Sequence, residues 1–92
     1  MIVSFRHKGL KLFHETGDLR GIQAKHAAKL QDILSALDGA TGVDDMRLPG
    51  FKLHLLTPHG DRIYSVWVSG NWRVTFRMTD WRAEIVDYLD YH

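Results

Sequence analysis

The sequence of 92 residues contains no cysteine, two prolines and no long apolar run. Without cysteine there is no disulfide, thiol nucleophile or thiolate metal ligand, and a reducing compartment suits such a chain. No stretch approaches the about eighteen apolar residues that a membrane helix needs. Arg6, His7 and Lys8 interrupt the start of the chain before a signal-peptide core forms. We therefore expect one cytoplasmic domain over residues 1–92, with no membrane contact.

Charge is nearly balanced over the whole chain but is unevenly distributed along it. There are 12 lysines and arginines against 11 aspartates and glutamates. Residues 1–30 carry six basic side chains and, as acidic ones, Glu15 and Asp18, whereas residues 31–50 carry four aspartates and one arginine. Because local potential rather than net charge governs attraction to phosphate, this gradient predicts a basic surface and a separate acidic one.

Two helices are predicted in the first half of the chain. The run Lys8–Glu15 has its apolar residues on one side of two turns, and Gly17 is a suitable C-terminal stop. A longer helix is predicted over Ile22–Leu37, ending at Gly39, because apolar residues recur at three- and four-residue steps. The apolar residues of this second stripe are Ala27, Leu30, Ile33, Leu34 and Leu37.

In the second half of the chain the apolar period changes to two, which is typical of β-strands. Alternating segments begin at Phe51, Ile63 and Trp72, and a last strand is predicted over Ala83–Tyr88. Glycine-containing turns separate these segments, so neighbouring strands are expected to pair as hairpins. The predicted fold class is α+β, with two N-terminal helices packed on one face of an antiparallel β-sheet.

The third predicted strand indicates what the other face of the sheet carries. If its apolar positions face the helices, Arg73 and Arg77 must line the opposite face. The same argument places Lys52 and His54 on the non-helical side. Cations gathered on one surface suit phosphate oxygens, and a histidine exchanges its proton near neutral pH. The alternative is a solvated face whose cations pair with acidic neighbours on the last strand, and the pattern alone leaves both interpretations open.

Other classes of chemistry find little support in the motifs. The chain has six histidines, but His7 and His14 are seven residues apart and His26 has no partner at helical metal-ligand spacing. We therefore predict no metal site and no cofactor. No serine lies in a G-x-S-x-G elbow, and no glycine-rich phosphate loop is present. Serine-nucleophile and nucleotide-loop enzymes are thereby excluded.

Four stretches of the chain carry a more specific pattern. They are Ser4–Leu10, Lys52–His54, the hairpin Tyr64–Phe76 with its N-W-R-V-T-F strand, and Glu84–His92 with its D-Y-H end. Together they resemble the HigB toxins of bacterial type II toxin–antitoxin systems, a branch of the RelE-like superfamily. The resemblance covers essentially the whole chain. Trp67 departs from it, since family members often carry a basic or polar residue there, which leaves open how this face meets RNA.

The resemblance implies a ribosome-dependent mRNA endoribonuclease that cuts codons in the A site of the 70S ribosome. It also implies neutralisation by a HigA-type helix-turn-helix antitoxin. His54 matches the strand histidine implicated in catalysis, and Arg73 matches the arginine of N-W-R. The catalytic C-terminal group is matched by Asp90, Tyr91 and His92.

Contacts to RNA are predicted at a second set of cations. Lys52 stands at a matching basic position, and Arg77 shares the face of Arg73. Helical lysines are predicted to dock ribosomal RNA, with an ordinary solvated helix surface as the alternative. These lysines are Lys8, Lys11, Lys25 and Lys29.

RNA cleavage without a metal uses the 2′-hydroxyl as the nucleophile on the adjacent phosphorus. The reaction needs a base, an acid for the leaving 5′-oxygen and positive charge on the phosphate oxygens. Arg73 can supply that charge, and His54 and His92 are acid–base candidates whose individual roles stay open. Asp90 can orient an imidazole, and Tyr91 can donate or position. We expect 2′,3′-cyclic phosphate products; the competing hypothesis is a catalytically inactive module that binds only antitoxin or RNA.

Overall fold

The first helix, α1 (Lys8–Thr16), is confirmed together with its predicted stop. The computed structural model describes residues 1–91, and His92 lies outside the described residues. At the start of α1 the His7 Nδ1 accepts the Leu10 backbone N–H at 2.9 Å, which satisfies one of the free amides of the first turn. At its end Gly17 adopts φ 81° and donates its N–H to the Phe13 carbonyl, as a left-handed C-cap does.

The second helix, α2 (Ala27–Gly39), starts later than the sequence predicts. A short 3₁₀ turn, Ala24–His26, precedes it. The reason is a close backbone crossing, because a Cβ atom added to Gly21 would lie 2.4 Å from the Cα of Gly9 in α1. The chain must pass α1 at this point before it can turn into a helix. The buried residues of α2 are Leu30, Ile33, Leu34 and Leu37, as the predicted stripe requires.

Four antiparallel strands form one sheet in the order β1-β2-β3-β4. Their bounds are β1 His54–Leu55, β2 Ile63–Ser69, β3 Trp72–Thr79 and β4 Arg82–Asp90. The first predicted strand is thus reduced to two residues, and the last is longer than expected. A segment at the start of the chain lies beside β4 through parallel bridges, Ile2 with Ala83 and Phe5 with Val86.

The core lies between the helices and one face of the sheet. Val66, Val74 and Phe76 are fully buried there, against Leu10 of α1 and the apolar stripe of α2. The predicted α+β class is therefore confirmed, with the helices before the sheet in the chain and α2 nearer its middle than its start. Neither helix in the described part of the chain has the length and hydropathy to cross a membrane.

A β-bulge in β4 interrupts the simple alternation of a regular strand. The register shifts between Thr75 and Arg77 of β3, opposite Ile85, whose φ of 47° is left-handed. The extra residue allows both Ala83 and Val86 to reach the core. As a consequence, the two carboxylates that flank the bulge, Glu84 and Asp87, pair with β3 residues of the non-helical face.

Candidate functional site

The sheet face that points away from the helices holds most of the predicted site residues. Two neighbouring rows of side chains cross the strands of this face, and they are set by the pairing register. One row consists of His54, Ser65, Thr75 and Asp87, and the next consists of Trp67, Arg73 and Leu89. The centre of this face is closely packed, since Ser65 and Thr75 are 2% and 8% exposed.

Arg73 occupies the middle of its row with an unusual environment. Its side chain is half-buried, and its Nη1 atom is buried without a hydrogen-bond partner among residues 1–91. Within that part of the chain it also makes no ion pair with a carboxylate. Buried guanidinium nitrogens normally have partners, because desolvating a charged donor without one is costly. A ligand with anionic oxygens would supply the missing acceptors.

Arg77 lies four residues after Arg73, on the same face, and is engaged with acidic side chains. Its Nη1 is 2.9 Å from Asp61 Oδ2, and its Nη2 is 3.2 Å from Glu84 Oε2. The hydrogen bond to Glu84, together with the charges of both carboxylates, raises the pKa of Arg77. The alternative interpretation of a paired, solvated face therefore describes this end of the sheet.

His54 and Lys52 approach the same face from its β1 edge. His54 opens β1, is exposed, and pairs in register with Ser65, one row away from Arg73. Lys52 adopts φ 48°, a left-handed conformation that is uncommon for lysine. Its Nζ lies 4.2 Å from the ring centroid of Trp67, so the ammonium sits over the indole.

The predicted C-terminal group extends from the end of β4. Asp90 is its last residue and pairs with Trp72, and this register places it on the face opposite to Arg73 and Leu89. The ladder continues one step further, since the Tyr91 N–H donates to the Asn71 carbonyl at 2.7 Å. Strand alternation then returns Tyr91, which is 51% exposed, to the face of Arg73. The predicted role of His92 falls outside the described residues.

The helical lysines do not form one continuous patch. Lys11 lines a groove beside the segment that bridges to β4, whereas Lys29 lies near the rings of Phe51 and Trp67. The Lys29 Nζ donates to the Gly50 carbonyl at 2.9 Å and lies 5.3 Å from the centroid of Trp67 on β2. Lys8 stands with Lys11 on α1, and Lys25 lies in the 3₁₀ turn before α2.

A buried polar pair on the helical side was missed by the sequence reasoning. His26 is 3% exposed, and its Nδ1 lies 2.6 Å from the Tyr88 hydroxyl. The Tyr88 ring packs 4.6 Å from the ring of Trp72 and 5.3 Å from that of His7. Burial, with a smaller contribution from Lys25, lowers the pKa of His26. Burial also raises the pKa of Tyr88.

A signal for this pair existed in the helical stripe. His26 precedes Leu30, Ile33 and Leu37 by four, seven and eleven residues, which is the spacing of one helix face. Within residues 1–91, no three histidine, aspartate or glutamate side chains converge in a way that would hold a metal ion.

Comparison with known proteins identifies the family of the chain. A family model described as the RelE-like toxin of the type II toxin–antitoxin system HigB matches residues 3–92. The protein named Endoribonuclease HigB from Proteus vulgaris is 40% identical over 92 residues, which is 100% of each chain. The chain belongs to the HigB family of RelE-like toxins of type II toxin–antitoxin systems.

Proposed function

We propose that this protein is a ribosome-dependent mRNA endoribonuclease, cutting codons in the ribosomal A site and neutralised by a HigA-type helix-turn-helix antitoxin. The class of toxin and the endoribonuclease activity are supported by the family match and by the full-length relative of that name. A protein antitoxin is the partner that a type II system implies. The ribosome, the A site and the antitoxin class are the finer parts of the proposal. A ribosomal substrate also implies action in the cytoplasm.

The observation that carries the proposal is the environment of Arg73. A buried guanidinium nitrogen without a partner among residues 1–91 supports binding of a phosphate oxygen at this point of the face. When negative charge builds on the equatorial oxygens of the phosphate, a fixed cation beside them stabilises the transition state. Arg73 is therefore the proposed electrostatic catalyst.

Proton transfer is assigned to two histidines, with Tyr91 and Asp90 in supporting roles. The 2′-hydroxyl attacks the adjacent phosphorus, so a base must accept its proton and an acid must protonate the leaving 5′-oxygen. His54, one row from Arg73, and His92 are the proposed pair, with their order left open. Tyr91 is a proposed donor on the same face, and Asp90 is proposed to orient an imidazole. The expected product ends are a 2′,3′-cyclic phosphate and a 5′-hydroxyl.

The exposure of the proposed catalytic groups supports a role for the ribosome. His54 and Tyr91 are both exposed to solvent. An exposed site holds a flexible RNA weakly, whereas a ribosome presents a codon in one fixed geometry. Such alignment is worth about 7–11 kcal/mol of the barrier in well-oriented reactions. We therefore expect weak cleavage of free RNA.

A cleavage assay on a defined mRNA tests the proposal. The mRNA is incubated with programmed ribosomes or alone, and wild type is compared with His92→Ala. Cutting that needs ribosomes, disappears in the variant and leaves cyclic phosphate ends is the expected result. Equal cutting of free RNA would refute the ribosome dependence, and 3′-hydroxyl ends would refute the nucleophile. Antitoxin binding by folded wild type without any cutting would favour the module that only binds.

A further inference from the structure

The indole of Trp67 has no part in the reaction proposed above, yet two ammonium groups approach it. The Lys52 Nζ lies 4.2 Å from the ring centroid, and the Lys29 Nζ lies 5.3 Å from it. A cation this close to an indole face is attracted by the negative charge of the ring face. We call Lys29, Lys52 and Trp67 the indole cluster.

The cluster is held in place from several sides. The Trp67 Nε1–H donates to the Gly70 carbonyl at 2.9 Å, and its backbone N–H donates to the Phe51 carbonyl at 2.6 Å. Lys29 is tied to the Gly50 carbonyl at 2.9 Å. Lys52 keeps a left-handed backbone, φ 48°, which for a lysine persists only where the surroundings determine it. The two ammonium groups are thus brought to one place by the fold.

The charge of the cluster is not compensated by the described chain. Neither lysine makes an ion pair with a carboxylate among residues 1–91, and Trp67 stands directly beside Arg73 in the register. Two ammonium groups therefore lie over one indole, and Arg73 is its cross-strand neighbour, with no ion pair to a carboxylate for any of the three among residues 1–91. Gathering like charges is unfavourable by itself, and it favours a polyanion that passes along the surface.

We propose that the indole cluster is a second phosphate subsite, which binds the RNA strand next to the phosphate held by Arg73. Lys52 contacts the phosphate, Lys29 adds positive charge, and Trp67 is a positioning residue that holds the Lys52 ammonium on its ring. The inference rests on the proposed function, because it deepens the account of how the same face binds RNA. It assigns a role to the residue at which the chain departs from the family pattern.

The test measures binding of a short RNA that carries 2′-O-methyl groups throughout and has no nucleophile to react. Fluorescence anisotropy gives its affinity over a series of salt concentrations for the intact protein. We expect Lys52→Gln to reduce the slope of log affinity against log salt by about 0.7, the value for one lost contact to single-stranded RNA. Trp67→Leu should lower affinity about two- to fivefold and flatten the slope, although it removes no charge.

Two further variants make this result specific. Arg47→Gln removes an equal charge from an exposed side chain outside the sheet, where it pairs with Asp44, and should leave the slope unchanged. Trp67→Phe keeps an aromatic ring and should retain most of the affinity. The subsite is refuted if Arg47→Gln and Lys52→Gln act alike, or if folded Trp67→Leu behaves like wild type. Lys52 and Arg47 are both exposed, so their comparison holds even if Trp67→Leu does not fold.

The binding and cleavage measurements together distinguish a failure of the proposed subsite from a failure of the proposed function. If wild type binds the methylated RNA with the expected pattern but cuts no mRNA on ribosomes, the proposed function fails and the subsite stands. If wild type cuts and the Lys52 and Trp67 variants bind and cut like wild type, the subsite fails and the proposed function stands. Wild type without any affinity for the methylated RNA at low salt would overturn the subsite.

Discussion

Arg73 and Arg77 belong to the same strand and the same face of the sheet, but their surroundings differ. Arg77 is held between Asp61 and Glu84, at 2.9 and 3.2 Å. Arg73 has a buried Nη1 without a partner among residues 1–91, and its neighbours across the strands are Trp67 and Leu89. One end of the face is therefore internally neutralised, while at the other end Arg73 has no ion pair with a carboxylate among residues 1–91.

The difference shows what a strand pattern determines and what it leaves undetermined. Alternation assigns both arginines to one face, because side chains two residues apart point the same way. Their partners come from other segments: Asp61 from the turn before β2, and Glu84 from β4. A guanidinium whose hydrogen bonds are already made to carboxylates gains little by binding a phosphate. One without them has hydrogen bonds to gain from phosphate.

The largest expected effect comes from replacing Arg73 by methionine, which keeps much of the side-chain volume. Cleavage on programmed ribosomes should fall about 100-fold or more, as when a fixed donor to developing charge is removed. The free energy of unfolding should stay equal or rise, because a buried donor without a partner disappears. Single-turnover cleavage and urea denaturation measure the two quantities. A large loss of stability with little loss of cleavage would contradict the role of Arg73.

The next largest effect is a loss of stability when the buried contact between His26 and Tyr88 of β4 is removed. Tyr88→Phe removes the hydroxyl that lies 2.6 Å from the buried His26 Nδ1. Leaving that nitrogen without a partner should lower the free energy of unfolding by about 1–3 kcal/mol. Denaturant unfolding of Tyr88→Phe, with the exposed Tyr91→Phe as the matched control, tests this. Equal stabilities of the two variants would mean that the buried pair contributes little.

Arg77→Met should affect stability more than cleavage, the opposite of what is expected for Arg73→Met, and both effects should be smaller than the loss of cleavage in Arg73→Met. It breaks two ion pairs that are partly exposed, so a loss of at most about 1 kcal/mol of stability is expected. Cleavage should change much less than in Arg73→Met, although Arg77 was predicted as an RNA contact. The same pair of assays serves for both arginines. Similar losses of cleavage in the two variants would remove the distinction between the ends of the face.

The smallest effect is a pH dependence on the helical side. Burial lowers the pKa of His26 in the folded state. When the pH falls below about 6.5, the usual pKa of histidine, the unfolded chain therefore binds more protons at this residue than the folded chain does. Stability from this residue is therefore complete above that pH and is lost as the pH falls through it toward the folded pKa. Thermal unfolding of wild type and His26→Gln between neutral and mildly acidic pH measures the difference in slope. If the melting temperatures of the two proteins changed in parallel with pH, His26 would be excluded as the source of the pH dependence.

Much of the fold follows from periodicity, and the exceptions have local causes. The apolar stripe of α2 and the stop at Gly17 are where the sequence predicts them. The delayed start of α2 comes from the crossing of Gly9 and Gly21, which are distant in sequence. The bulge at Ile85 likewise depends on how β4 pairs with β3. Such long-range contacts produce no periodic pattern in the sequence, so periodicity does not predict them.

In the candidate site too, some features follow from the sequence and others depend on long-range contacts. The resemblance and the alternation single out His54 and Arg73, and the structure places them in neighbouring rows of one face. Neither predicts that Lys29 leaves the helical surface to join Trp67, since this depends on where α2 lies over the sheet edge. The roles of the predicted catalytic residues stay predictions until cleavage is measured.

The sequence by itself determined the class of the fold, the two faces of β3 and the family, because periodicity and motifs are local properties of the chain. Only the tertiary structure decided which cations are free to bind. Arg77 is neutralised by Asp61 and Glu84, whereas Arg73 and Lys52 meet Trp67 and no described carboxylate. The physical reason is that the electrostatic state of a side chain depends on neighbours within a few ångströms, and folding alone chooses those neighbours.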